Sequence, residues 1–124
     1  MSDNGKIMPI MARIQAVLAA CKQAVEMEGM DWDDVMVRRT RLRKVVEVRY
    51  AIFDIFRKAV PVSFGTETEM LGTSLNRTSL YHAIEAVEQW RSYDGIYSGI
   101  YDRIFANFHS ALLQAGCGES EGTV

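Results

Sequence analysis

Apolar residues recur at intervals of three and four along most of this chain, which is the spacing of one face of an α-helix. The first apolar stripe runs over residues 10–25, and the longest one covers residues 42–59. Two later stripes predict a helix over about 76–92 and a last helix that opens at Asp94. The pattern therefore predicts an all-α fold.

Residues that favour helix ends divide these stripes into separate elements. Pro61 stops the long central helix, because proline cannot continue it. Asp31 is placed to cap a short helix, and Asn76 is placed to cap the helix that follows it. Thr66, with Glu69 three positions later, has the pattern of a capping box for a short helix over 67–71. We expect a compact bundle of about six helices joined by short connections.

Composition supports one ordinary domain. The chain has 124 residues, and its 48% hydrophobic content is enough to build a core. We expect an N-terminal extension at 1–9, a domain at 10–109 and a flexible acidic tail at 110–124. No apolar run approaches the roughly 20 residues of a membrane span, and no signal peptide is recognisable. The two cysteines have no metal-ligand spacing, so we expect a cytoplasmic protein without membrane, metal or cofactor.

Positive charge is concentrated in the middle of the chain. The formal net charge is −2, but residues 1–37 carry −3, residues 38–91 carry +4 and residues 92–124 carry −3. We call residues 38–44 the basic segment, since five of its seven positions are basic: Arg38, Arg39, Arg41, Arg43 and Lys44. Such clusters supply the electrostatic contact to nucleic acid. The alternative is an exposed, well-solvated loop without a ligand.

Residues 66–91 have the pattern of a helix-turn-helix. Gly72 supplies the turn, and the second helix would present its first residues to base edges in the major groove. Those residues are Arg77, which pairs with guanine, and Thr78 and Ser79, which donate, accept or contact a thymine methyl group. The alternative is an ordinary helical corner in which these polar residues only cap the helix.

Five stretches of the chain carry a family resemblance. They are 33–36 (DDVM), 38–43 (RRTRLR), 45–50 (VVEVRY), 70–72 (MLG) and 76–84 (NRTSLYHAI). In this order they resemble the C-terminal DNA-binding domain of the bacterial replication initiator DnaA, over about residues 10–108. They are also similar to stand-alone copies of that domain in phage and mobile-element proteins. The resemblance implies a helix-turn-helix fold like that of the Trp repressor.

The resemblance also implies roles for individual residues. Arg41, or secondly Arg39, corresponds to an arginine that enters the minor groove, and Arg49 corresponds to an arginine early in the long helix. Thr78 and Ser79 match a pair of threonines that contact bases.

The chain departs from the family pattern in the turn and at the start of the second helix. Leu75 stands where the family has arginine, Arg77 stands where it has histidine, and Thr73 and Ser74 replace a glycine pair. The family's own target sequence therefore does not carry over. No glycine-rich phosphate loop is present, so ATPase activity is not expected.

We therefore expect a sequence-specific protein that binds double-stranded DNA in replication control or transcription. It is not expected to be an enzyme or to bind a small-molecule substrate. The predicted DNA contacts are Arg38, Arg39, Arg41, Arg43, Lys44, Arg49, Asn76, Arg77, Thr78, Ser79 and His82. The alternative function is a protein–protein adaptor that keeps the fold and binds its partner through the methionine-rich N-terminal helix or the acidic flanks.

Overall fold

The computed structural model of the protein describes residues 10–116, which form six α-helices and no strand within that range. The helices are α1 (Ile10–Met27), α2 (Trp32–Met36), α3 (Arg43–Ala59), α4 (Phe64–Leu71), α5 (Arg77–Tyr93) and α6 (Gly95–Gln114). The prediction of an all-α fold of about six helices is confirmed. The expected extension at 1–9 and residues 117–124 of the expected tail lie outside the described residues.

Helix α3 forms the centre of the bundle and contacts α1, α2, α5 and α6. Residues 51–56 of α3 are buried without interruption, so this helix is covered on most of its circumference. Phe53 and Phe56 are fully buried, and each such side chain stabilises the fold by about 1.5–3 kcal/mol relative to exposure. Helices α1 and α6 pack against each other and close one side of the core.

Two predicted helix caps are confirmed, and Asp94, where the last helix was predicted to open, is the cap of that helix. The side chain of Asp31 accepts a hydrogen bond from the second residue of α2. The side chain of Asn76 accepts from the third residue of α5, and Asp94 accepts from the second and third residues of α6. Each cap satisfies backbone donors that the first helical turn leaves unpaired.

The predicted start of α4 is wrong. The helix begins at Phe64, and its cap is Ser63, whose Oγ accepts a hydrogen bond from the Thr66 amide at 3.1 Å. Thr66 therefore lies in the first turn, and its own hydroxyl accepts from the Ser63 hydroxyl at 2.9 Å. Glu69 completes no capping box here.

The last helix is longer than the predicted domain. It continues to Gln114, five positions beyond the expected end at residue 109. Ala111 and Leu112 explain the extension, because both are buried in the core and hold the final turns of α6 against the bundle.

Candidate nucleic-acid interface

The basic segment forms the connection from α2 to α3 and the first two positions of α3. All five of its basic side chains are exposed. Arg38 pairs with Asp34 at 3.0 Å, an exposed ion pair of small energetic value. Arg39, Arg41 and Lys44 have no carboxylate within ion-pair distance among residues 10–116. These three side chains therefore carry the uncompensated positive charge of the segment.

Arg43 is the most constrained member of the basic segment. Its Nε donates to Glu47 at 2.8 Å, and its Nη2 lies 3.7 Å from Asp94. Its guanidinium carbon also lies 5.0 Å from the centre of the Trp90 ring. These contacts direct Arg43, one of the predicted DNA contacts, toward the end of α5.

Arg49 holds the loop from the core side. Its Nε donates to the carbonyl oxygen of Val35, and its Nη2 donates to that of Arg38 at 2.9 Å. The residue is only 6% exposed, and burial lowers the pKa of its guanidinium. Arg49 was one of the predicted DNA contacts, and the structure instead gives it a positioning role, since two of its nitrogens donate to backbone carbonyls.

The turn between α4 and α5 is fastened to the same loop. Gly72 ends α4 with a φ of +68°, a left-handed conformation that favours glycine. The Thr73 hydroxyl donates to the carbonyl oxygen of Met36 at 2.9 Å, and the Ser74 amide donates to the same oxygen at 3.1 Å. The residues that precede α5 therefore lie directly against the start of the basic segment.

The first turn of α5 presents polar side chains to solvent. Asn76, Arg77 and Thr78 are exposed, and Ser79 is half-buried. His82 is exposed one turn later, with its Nδ1 atom 3.7 Å from Glu85. The opposite face of α5 is anchored in the core by Leu80, Ala83 and Val87.

A cavity of about 230 Å³ lies where the basic segment meets the turn that precedes α5. Its lining residues are Arg38, Arg39, Thr40, Arg41, Arg49, Ser74 and Leu75. Four of the predicted DNA-contacting arginines are thus brought together beside the turn, whereas Arg43 and Lys44 do not line this cavity.

Comparisons with protein families, curated proteins and solved structures found no match to this chain. The resemblance to the DnaA C-terminal domain therefore stays a prediction from sequence motifs. Among residues 10–116, no group of three His, Cys, Asp or Glu side chains is placed to hold a metal ion. Within the same range, no helix is both long enough and apolar enough to cross a bilayer.

Tyr81 is a surface residue of α5 that the sequence reasoning missed. It lies three positions after Thr78 and four after Arg77, so it shares their exposed face, and 45% of it is accessible. Its ring meets that of Phe64 edge-on at 5.5 Å, and a hydrogen bond with Glu85 raises the pKa of its hydroxyl. The helical spacing of Tyr81 from Arg77 is the sequence signal that could have identified it.

Proposed function

We propose that this protein binds double-stranded DNA in a sequence-dependent manner and acts in replication control or transcription without ATPase activity. One observation carries the proposal: the hydrogen bonds from Thr73 and Ser74 to the Met36 carbonyl. They hold an exposed cationic loop beside the turn that leads into α5. The basic segment and the start of α5 thus form a cationic surface on a protein whose net charge is −2.

In this proposal α4, the turn and α5 act as a helix-turn-helix, and α5 enters the major groove. Arg77 pairs with guanine, while Thr78 and Ser79 contact neighbouring bases. Tyr81 extends the same face by one turn. The free amides at the start of α5 favour a phosphate nearby, since the positive end of the helix dipole lies there.

The basic segment supplies the second contact. Arg41 and Arg39 reach the minor groove and the backbone beside it, and Lys44 contacts a phosphate. The resemblance to the DnaA C-terminal domain supports this order of contacts. The departures at Leu75 and Arg77 favour a target sequence different from that of the family. A cytoplasmic location goes with this proposal.

Two substitutions separate the reading of bases from the binding of phosphates. Duplexes are first selected from a random pool with the 124-residue protein, and affinity is then measured by fluorescence anisotropy at several salt concentrations. We expect Arg77→Ala to relax preference at one base position by about 1–3 kcal/mol. We expect Arg41→Ala to weaken all duplexes and to reduce the slope of log K against log salt by about 0.9 for each phosphate that the variant no longer neutralises.

Arg13→Ala is the matched control, because it removes one positive charge from α1, at a different cavity from that of the basic segment. It should leave both affinity and preference unchanged. The proposal fails if the selected pool has no consensus and if Arg41→Ala and Arg77→Ala bind duplex as well as the parent protein does.

A protein–protein adaptor is the second candidate, and exposed apolar residues on α1 favour it. Ile10 is 76% exposed and Met11 is 63% exposed. Ile10 and Ile14 also border an apolar groove of about 280 Å³ against residues 59–62. A gel shift with mixed-sequence duplex at low and high salt distinguishes the two functions, since an adaptor that has lost DNA binding gives no salt-dependent shift.

A further inference from the structure

The cavity beside the basic segment has an unusual imbalance of charge. Four arginines line it, at positions 38, 39, 41 and 49. Among residues 10–116, Asp34 is the one carboxylate within ion-pair distance of any of them, and it pairs with Arg38 on the outer surface. Thr40, Ser74 and Leu75 also line the cavity. All of the charged residues in its lining are therefore cationic.

Arg49 places a largely buried positive charge in the lining of this cavity. It is more than nine-tenths buried, yet its hydrogen-bond acceptors are two neutral carbonyl groups. Its Nη1 atom makes no hydrogen bond to residues 10–116. A buried charge without a counter-ion is costly, and proteins normally pair it. An anion bound in the cavity would offset the charge of Arg49 and accept a hydrogen bond from its Nη1 atom.

The volume of the cavity favours a small anion. Its volume of about 230 Å³ lies below the roughly 300–1,000 Å³ of sites for drug-sized ligands. Planar guanidinium groups match the oxygens of phosphate well, because two parallel N–H donors meet two acceptors. A phosphate group is therefore a better fit than a larger organic molecule.

We propose that this cavity is a binding site for a phosphate group, with Arg49 at its base, Arg39 and Arg41 at its mouth and the Ser74 hydroxyl as a further donor. The site goes beyond the proposed function, because it needs neither base pairs nor a duplex. The phosphate comes either from a DNA backbone or from a free phosphorylated molecule. Both sources share the same chemistry, and experiment separates them.

The site is tested with inorganic phosphate and pyrophosphate as probes. Binding to the 124-residue protein is measured by isothermal titration calorimetry, with sodium chloride added to keep the ionic strength constant. We expect saturable binding at one site and a higher thermal midpoint in phosphate than in chloride. Arg39→Ala and Arg41→Ala should each weaken phosphate binding about tenfold, since each removes a charge-assisted hydrogen bond.

Arg13→Ala again serves as the control of equal charge, and it should bind phosphate as the parent protein does. The proposal is overturned if phosphate has no effect beyond that of chloride at equal ionic strength. It is also overturned if Arg13→Ala loses as much affinity as Arg41→Ala, because binding would then reflect net charge alone.

Competition with a labelled duplex at constant ionic strength identifies the source of the phosphate. Displacement of the duplex by pyrophosphate supports the site and assigns it to a backbone phosphate. Binding of pyrophosphate without displacement supports the site and assigns it to a free phosphorylated ligand. A protein that binds phosphate but no duplex refutes the proposed function and leaves the phosphate site standing.

Discussion

Glu67 on α4 is a buried acid whose ionisation opposes folding at neutral pH. The side chain is fully buried, and its Oε1 atom accepts a hydrogen bond from Arg57 at 3.1 Å. Its Oε2 atom has no hydrogen-bond partner. Burial raises the pKa of the carboxyl group to about 7, although the hydrogen bond from Arg57 acts in the opposite direction. Replacing this residue by glutamine, Glu67→Gln, keeps the shape of the protonated acid and removes its charge.

The size and sign of the effect follow from the two pKa values. The folded value of about 7 exceeds the ordinary value of 4.5, and each pKa unit corresponds to about 1.36 kcal/mol. Between these values the unfolded chain has released the proton while the folded chain retains it, so rising pH favours unfolding. The contribution of Glu67 is fully present below pH 4.5 and is lost as pH rises through 7. The total loss is roughly 3 kcal/mol.

Glu67→Gln removes this pH dependence of stability. As pH rises from 4.5 to 8, the free energy of unfolding of Glu67→Gln should therefore increase relative to that of the parent by roughly 3 kcal/mol. Urea unfolding followed by circular dichroism at four pH values measures the difference. Glu69→Gln is the matched control, because Glu69 is on the same helix but is exposed. A constant difference between parent and Glu67→Gln at all pH values would refute the reasoning, as would the same trend in Glu69→Gln.

Three further changes test other parts of the structure. Asn76→Ala removes the cap of α5 and should lower stability by about 0.5–2 kcal/mol in thermal unfolding, while Asn76→Asp should retain most of it. Tyr101→Phe deletes the hydroxyl that donates to the buried Asp54 carboxylate, and it should cost about 1.5–3 kcal/mol in urea unfolding. Burial raises the pKa of the Cys21 thiol, so in a Cys117→Ser variant iodoacetamide should label Cys21 in urea but not in the folded protein.

The helix ends that sequence predicted well are those decided by neighbouring residues. The caps at Asp31, Asn76 and Asp94 bond to amides two or three positions along the chain. The start of α4 was missed although its cap is also local, because Ser63 and Thr66 are both good capping residues and the cap is Ser63. Phe64, the first residue of the helix, also packs against the guanidinium of Arg57 at 3.8 Å.

The same distinction applies to the candidate site. The exposure of the basic segment was predictable, because a dense run of charges cannot be buried without partners. The role of Arg49 was not predictable. Its partners are the carbonyl groups of Val35 and Arg38, which lie 14 and 11 positions earlier, and helical periodicity does not reveal such contacts. The bond from Thr73 to Met36 spans 37 positions and left no trace in the local pattern. Side-chain contacts to backbone atoms far along the chain are thus hidden from sequence patterns, whereas the exposure of a dense run of charges is not.

Salt should act differently on the exposed charges of the proposed DNA complex and on the internal hydrogen bonds that position them. The contacts of Arg39, Arg41 and Lys44 to phosphates weaken as salt rises, because counterion release drives them. The spacing between the basic segment and α5 is set instead by hydrogen bonds from Thr73 and Arg49 to neutral carbonyls, which salt does not screen. Rising salt should therefore lower the affinity for every duplex while the ranking among duplexes stays the same. Anisotropy on selected and scrambled duplexes at two salt concentrations measures both quantities. If the ratio of affinities for selected and scrambled duplexes falls toward one as salt rises, the reasoning is refuted. Charge alone would then set the spacing between the basic segment and α5.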